Sequence, residues 1–157
     1  MYRHKIGLRV RQSAHTAEVP SITLVLGPFG DVANYGGDAI YLSWYPSCRT
    51  VVSTAIAPPP LPNRLPPAIS AEAVVGPLRQ LVPALRAIDV GGASIEIYGG
   101  WIFAWGKSDI DDTISELHRR DDVGVHSMLG YHTINTGKLT LAPLHAMTVC
   151  DRIAPLS

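Results

Sequence analysis

Hydrophobic and polar positions alternate cleanly over residues 2–11. Tyr2, His4, Ile6, Leu8 and Val10 fall on one face, and Arg3, Lys5, Gly7, Arg9 and Arg11 on the other. Side chains switch faces at every residue of a strand, so this pattern predicts a half-buried strand with a basic solvent face. A domain that opens directly on such a strand is expected to have something missing upstream, or supplied by a partner. Residues 12–20 are polar and loop-like. Ser21 to Gly27 is apolar on both faces, the pattern of a central strand. Gly27-Pro28-Phe29-Gly30-Asp31 interrupts it, and Val32 to Tyr35 resumes after a bulge. Gly36-Gly37-Asp38 predicts a hairpin turn, because glycines supply the positive φ such turns need. Ala39 to Tyr45 returns as the partner strand. Pro46 stops it, and Val51 to Ala55 follows as a short fourth strand.

Pro58, Pro59, Pro60, Pro62, Pro66 and Pro67 make the next segment an extended connector, since each ring removes a donor and fixes φ. Ser70 is an N-cap for a helix beginning at Ala71, with Glu72 in the first turn and Val74, Leu78, Leu81 and Val82 facing inward. Pro77 is expected to kink that helix and Pro83 to end it near Val82. Ala93 to Tyr98 and Trp101 to Trp105 are β runs separated by Gly99-Gly100, which fits one bulged strand or a hairpin equally well. Val123 to Leu129 and Tyr131 to Asn135 are two more short strands. Pro143 is tolerated only in a first helical turn, which places an N-cap near Thr140. Ala142, Ala146, Val149, Cys150 and Ile153 then share one face, flanked by Leu141, Leu144 and Met147, so the final helix is expected to be well buried. The prediction is α+β: a largely antiparallel mixed sheet with one middle helix and a buried C-terminal helix. No internal repeat and no linker divides residues 1–157.

Composition narrows this picture by exclusion. Hydrophobic residues make up 46% of the 157 and charged residues 17%, enough apolar content for one domain with a real core. Net charge is zero, so neither nucleic acid nor an anionic membrane is expected as a partner. No apolar run approaches the roughly 18 residues of a spanning helix, and the charged N-terminus has no apolar stretch behind it. Cys48 and Cys150 form no C-x-x-C; a reduced cytoplasmic chain with two buried thiols is the expectation, with a disulfide between them the alternative.

Candidate chemistry concentrates near the C-terminus. In Gly130-Tyr131-His132-Thr133-Ile134-Asn135-Thr136-Gly137-Lys138-Leu139-Thr140-Leu141-Ala142-Pro143 a β run enters a polar turn and an apolar helix leaves it. Helix N-termini present unpaired N–H groups, so residues 137–140 suit an anionic or electron-rich ligand, or form a well-capped terminal helix that binds nothing. Arg119 and Arg120 either grip a carboxylate or form an exposed pair balanced by Glu116, Asp121 and Asp122. His132 is a ligand candidate beside the turn or a hydrogen-bonded strand histidine. Asp109, Asp111 and Asp112 do not continue as a calcium loop, because Ile114 and Arg120 stand where glycine and glutamate belong; they read as a solvated turn. The histidines lack zinc spacing, and no G-x-G-x-x-G, P-loop or Gly-x-Ser-x-Gly occurs. Tyr41, Trp44, Tyr98, Trp101 and Trp105 are cross-strand or core aromatics, of which one or two can line a pocket.

Five stretches together resemble one family. Gly27-Pro28-Phe29-Gly30-Asp31, Tyr41-Leu42-Ser43-Trp44-Tyr45-Pro46, Asp109-Ile110-Asp111-Asp112 with Ser115-Glu116-Leu117-His118-Arg119-Arg120, Tyr131-His132, and Asn135 to Pro143 are similar, in this order, to the C-terminal half of FAD-dependent oxidoreductases of the D-amino-acid-oxidase/glycine-oxidase type. The resemblance implies a substrate-domain-like β part over residues 1–129. Residues 130–157 would be a terminal strand-turn-helix completing an FAD-binding domain whose N-terminal Rossmann part is absent. It implies FAD as cofactor, with Gly137, Lys138, Leu139 and Thr140 at the flavin's pyrimidine edge. It also implies substrate binding by Arg119, Arg120 and His132. The activity implied is oxidation of an amine or amino acid by hydride transfer to flavin, once a separate FAD-domain chain completes the site. The alternative is a non-catalytic fragment or small binding domain that has lost the cofactor.

Overall fold

The computed structural model describes residues 1–11, 16–25, 27–60, 70–91, 94–103, 106–118, 123–135 and 139–154, without the side chains of Ala17 and Leu139. The architecture is α+β, with an antiparallel sheet and a few helices. Strand β1 (Tyr2–Arg11) is its centre. Along one edge it pairs over its whole length with β6 (Ser94–Phe103), from Tyr2↔Phe103 to Arg11↔Ser94. Along the other edge, residues 8–11 pair with β4 (Ala39–Trp44) and residues 2–5 with β5 (Arg49–Ser53). The helical turn α1 (Tyr45–Cys48) bulges out between those two strands, with Pro46 at a position that needs no N–H. Strands β3 (Gly30–Asn34) and β2 (Ile22–Leu24) continue the sheet beyond β4. The β3–β4 turn carries Gly36 and Gly37 at φ of 78° and 64°, as its sequence predicts.

The even positions of β1 supply the core. Ile6, Leu8 and Val10 are fully buried with Val32, Ile40 and Leu42 of the neighbouring strands and with Val74, Val75 and Leu78 of α2 (Ala71–Leu81). Helix α2 starts where expected: the Ser70 hydroxyl accepts from the Ala73 N–H at 3.1 Å. It continues through Pro77, whose missing N–H leaves the Ala73 carbonyl without its helical donor. The Ser47 hydroxyl of α1 fills that vacancy, donating to the Ala73 oxygen at 3.0 Å. Arg79 of α2 donates to the carbonyls of Ile88 at 2.6 Å and Leu85 at 3.4 Å, fastening the following 3-10 segment Pro83–Ala87 beneath the sheet.

Several expectations are corrected. The run from Ser21 is not a central strand: only Ile22–Leu24 pair, at the sheet edge, and Val25 is 66% exposed. The two β runs around Gly99-Gly100 are one strand in unbroken register; a Cβ at Gly99 would stand 3.0 Å from the His4 ring, so the small residue lets the strands lie close. Leu81 is exposed, leaving the inward face of α2 to Val74, Val75 and Leu78. The far face of β1 is not a solvent face, because Arg3 and Gly7 are buried on it.

The C-terminal unit is a hairpin and a helix. Strands β7 (Gly124–Met128) and β8 (Tyr131–Asn135) form a two-stranded sheet of their own. Leu129 and Gly130 turn the chain at φ of 50° and 80°, the paired positive values of a type I′ hairpin. Helix α3 (Ala142–Ile153) packs on β7. Its expected burial is not seen. The covered face runs through Leu141, His145, Thr148 and Val149, whereas Ala146, Met147, Cys150 and Ile153 point outward, because the hairpin is narrow and shields one side. Cys150 is accordingly an exposed thiol and Cys48 a buried one, and the two are unbonded. No described helix is long and apolar enough to cross a membrane.

Replacing Ser47 with alanine is expected to cost about 1–3 kcal/mol in urea unfolding, because the Ala73 carbonyl loses its donor. In a Pro77→Ala background the helix regains its own N–H, and the cost of Ser47→Ala should fall below about 0.5 kcal/mol.

Candidate functional site

Three assemblies bear polar chemistry. The first is the buried centre around Asp109. The odd face of β1 directs Arg3 towards this carboxylate, which lies 106 positions away in the chain, at 2.5 Å. The Tyr45 hydroxyl donates to the same oxygen at 2.7 Å and accepts from Arg3 at 2.9 Å. The Ile110 N–H adds a third donor at 2.7 Å, and Arg49 reaches the second oxygen at 2.8 Å while also touching Asp111 at 3.2 Å. Burial alone would raise the Asp109 pKa, but these donors outweigh it and hold the carboxyl at about 2. Tyr45 moves the other way: burial first, and then its bond to Asp109, push the phenol up to about 12. The cations Lys5 and Arg49 lie 5.5 and 5.6 Å from the Tyr45 ring centre. Asp109 is therefore a buried counterpart of the basic strand face, whereas Asp111 and Asp112 form the partly solvated turn that the sequence predicts.

Beside this centre lies an open cleft of about 580 Å³ between Phe29, Pro46, Ile110, Asp111 and His118. Gly27, Pro28 and Thr113 also contribute to its walls. The His118 ring makes a 3.0 Å hydrogen bond to the Asp112 carbonyl, which fixes it at the rim.

The second assembly is the terminal turn. Gly137 and Lys138 lie outside the described residues, as do Arg119 and Arg120. Leu139 and Thr140 belong to a 3-10 turn, Leu139–Leu141, that feeds α3. The N-cap is Leu141, next to Thr140 as Pro143 requires, but the expected hydroxyl cap is not made and no side chain among the described residues caps the helix. Pro143 occupies the first turn, as its missing N–H requires. His145 is the buried residue of α3, at 8% exposure, and its Nε2 has no hydrogen-bond partner. His132 is held elsewhere: its Nδ1 is 2.8 Å from the Ser127 hydroxyl, which accepts from Arg152 of α3 at 2.6 Å.

The third assembly lies on the open face of the sheet, opposite α2. Arg9 stands directly across from Tyr41 on β4 and from Glu96 on β6, and Tyr98 is the partner of Gly7. Arg9, Tyr41 and Tyr98, with Tyr35 of the β3–β4 turn, enclose a pocket of about 390 Å³. Sequence reasoning offered Tyr41 and Tyr98 as pocket aromatics but missed Arg9 and Tyr35, because only the strand register shows that they share a face.

Comparison with protein-family models, curated proteins and solved structures gave no match for this chain.

Asp109→Asn should cost about 3–5 kcal/mol near neutral pH, the usual penalty for breaking one side of a buried ion pair. The sign of the pH effect follows from a folded pKa of about 2 lying below the unfolded value of about 3.9. Asp109 therefore contributes fully above about pH 4, and its contribution is lost as pH falls to about 2. Urea midpoints of the two proteins should converge over that interval.

Proposed function

We propose that this chain is the C-terminal, flavin-edge part of an FAD-dependent oxidoreductase that oxidises an amine or amino acid by hydride transfer to flavin. The observation that carries the reading is the start of α3, whose backbone N–H groups no side chain caps among the described residues. These groups fit a cofactor edge that accepts hydrogen bonds. Gly137, Lys138, Leu139 and Thr140 would hold that edge through backbone N–H groups, with the helix dipole favouring negative charge there. Bound FAD supplies the hydride acceptor. Arg119 and Arg120 would fix the substrate carboxylate through paired N–H donors.

A partner for the remainder of the cofactor is part of this reading, because no dinucleotide-binding glycine motif occurs in the sequence. The hairpin–helix unit supports such a partner. Met128, Leu129, Tyr131, Leu144 and Met147 are all largely exposed on it, an apolar surface suited to docking. For the isolated chain the missing motif favours a second reading, in which the chain is a non-catalytic fragment or small binding domain that has lost the cofactor.

Flavin fluorescence quenching separates the two. Under the first reading only the ring edge is held, so the chain alone should bind riboflavin and FAD weakly and with similar affinity. Gly137→Val should weaken both by about tenfold, since close backbone approach is blocked. Absence of saturable binding would favour the second reading. Much tighter binding of FAD than of riboflavin would contradict the division of the cofactor proposed here.

A further inference from the structure

We propose that the open face of the sheet carries a second site, independent of flavin, for a small organic carboxylate with an apolar body, built from Arg9, Tyr35, Tyr41 and Tyr98. The pocket has the size of a small-molecule site, about 390 Å³, and its walls are three phenol rings around one guanidinium. The Arg9 Nη1 donates to the Tyr98 hydroxyl at 3.5 Å and stands 3.7 Å from Glu96, while Nη2 has no hydrogen-bond partner among the described residues. Glu96 is already engaged. It accepts from the Tyr98 hydroxyl at 2.5 Å and from Arg11 at 3.2 Å. Arg9 therefore retains donor capacity that the protein does not fill, directed by a rigid three-strand register.

The rings decide the sign of the ligand. An aromatic wall alone would suit a cation, but Arg9 already lies 6.0 Å from the Tyr35 ring centre and would repel a second positive charge. A carboxylate answers the unpaired terminal N–H of Arg9 and keeps its apolar body against the rings. Tyr41 is fixed in place by close packing, since a Cβ at Gly7 would fall 2.2 Å from its ring. The site shares no residue with the terminal turn or with the Asp109 centre, so its occupancy does not depend on the oxidoreductase reading.

The test is isothermal titration of the whole chain, without flavin, with phenylacetate, 2-phenylethanol and 2-phenylethylammonium. Phenylacetate should give a saturable isotherm, and the neutral and cationic analogues should bind at least tenfold more weakly. Arg9→Gln should weaken phenylacetate at least tenfold. Arg9→Lys, which keeps the charge facing Glu96, should retain weakened binding, and the exposed control Arg86→Gln should match the wild type. Circular dichroism of each variant establishes that it is folded. No saturable phenylacetate binding by the wild type would overturn the proposal. Equal binding by folded Arg9→Gln, or a preference for the ammonium or alcohol, would do the same.

Discussion

A single buried carboxylate organises the polar half of this protein. Asp109 accepts from Arg3, Tyr45, Arg49 and the Ile110 N–H, so both of its oxygens are engaged. Burying an ion pair is costly unless geometry and extra hydrogen bonds compensate. Here two cations, a phenol and a backbone amide provide that compensation. The result pins residues 109–118 against the first strand and fixes the helical turn between β4 and β5, which carries Tyr45. Without that anchor the cleft between Phe29, Pro46, Ile110 and His118 would lose a wall.

The sheet consequently has two unlike faces. The face towards α2 is a hydrocarbon core, and its stability comes from area removed from water. The opposite face holds the Asp109 centre and the Arg9 pocket, where specificity comes from directed donors. Both faces stem from the period-two pattern of one strand, because β1 contributes its even residues to the core and its odd residues to the polar side. The hairpin and α3 stand apart as a smaller unit, tied together through Arg152 and Ser127 and exposing much apolar surface.

Much of the framework was legible in the sequence because it follows local rules. Alternation gave β1, glycine at positive φ gave the β3–β4 turn, and Ser70 and Pro83 bounded α2. What was not legible depends on distant pairing. Arg3 and Asp109 each look like solvent-facing charges until the fold joins them. Arg9 and Tyr35 become pocket residues only through register. The buried face of α3 was misjudged because its apolar residues lie all around it, and the covered side is set by the narrow hairpin. His145 lies on that side with Leu141 and Val149 at spacing of four, a signal present in the sequence but outweighed by the longer apolar stripe. Gly137 and Lys138 lie outside the described residues, and their role rests on the flavin proposal alone.

The organising role of the Asp109 carboxylate can be read directly by carbon-13 NMR, following its side-chain carboxyl resonance through an acid titration of the folded chain. The account predicts a midpoint near 2, set by donors that outweigh burial. A midpoint at the ordinary aspartate value of about 3.9 would contradict it, since the donors would then do no more than offset burial.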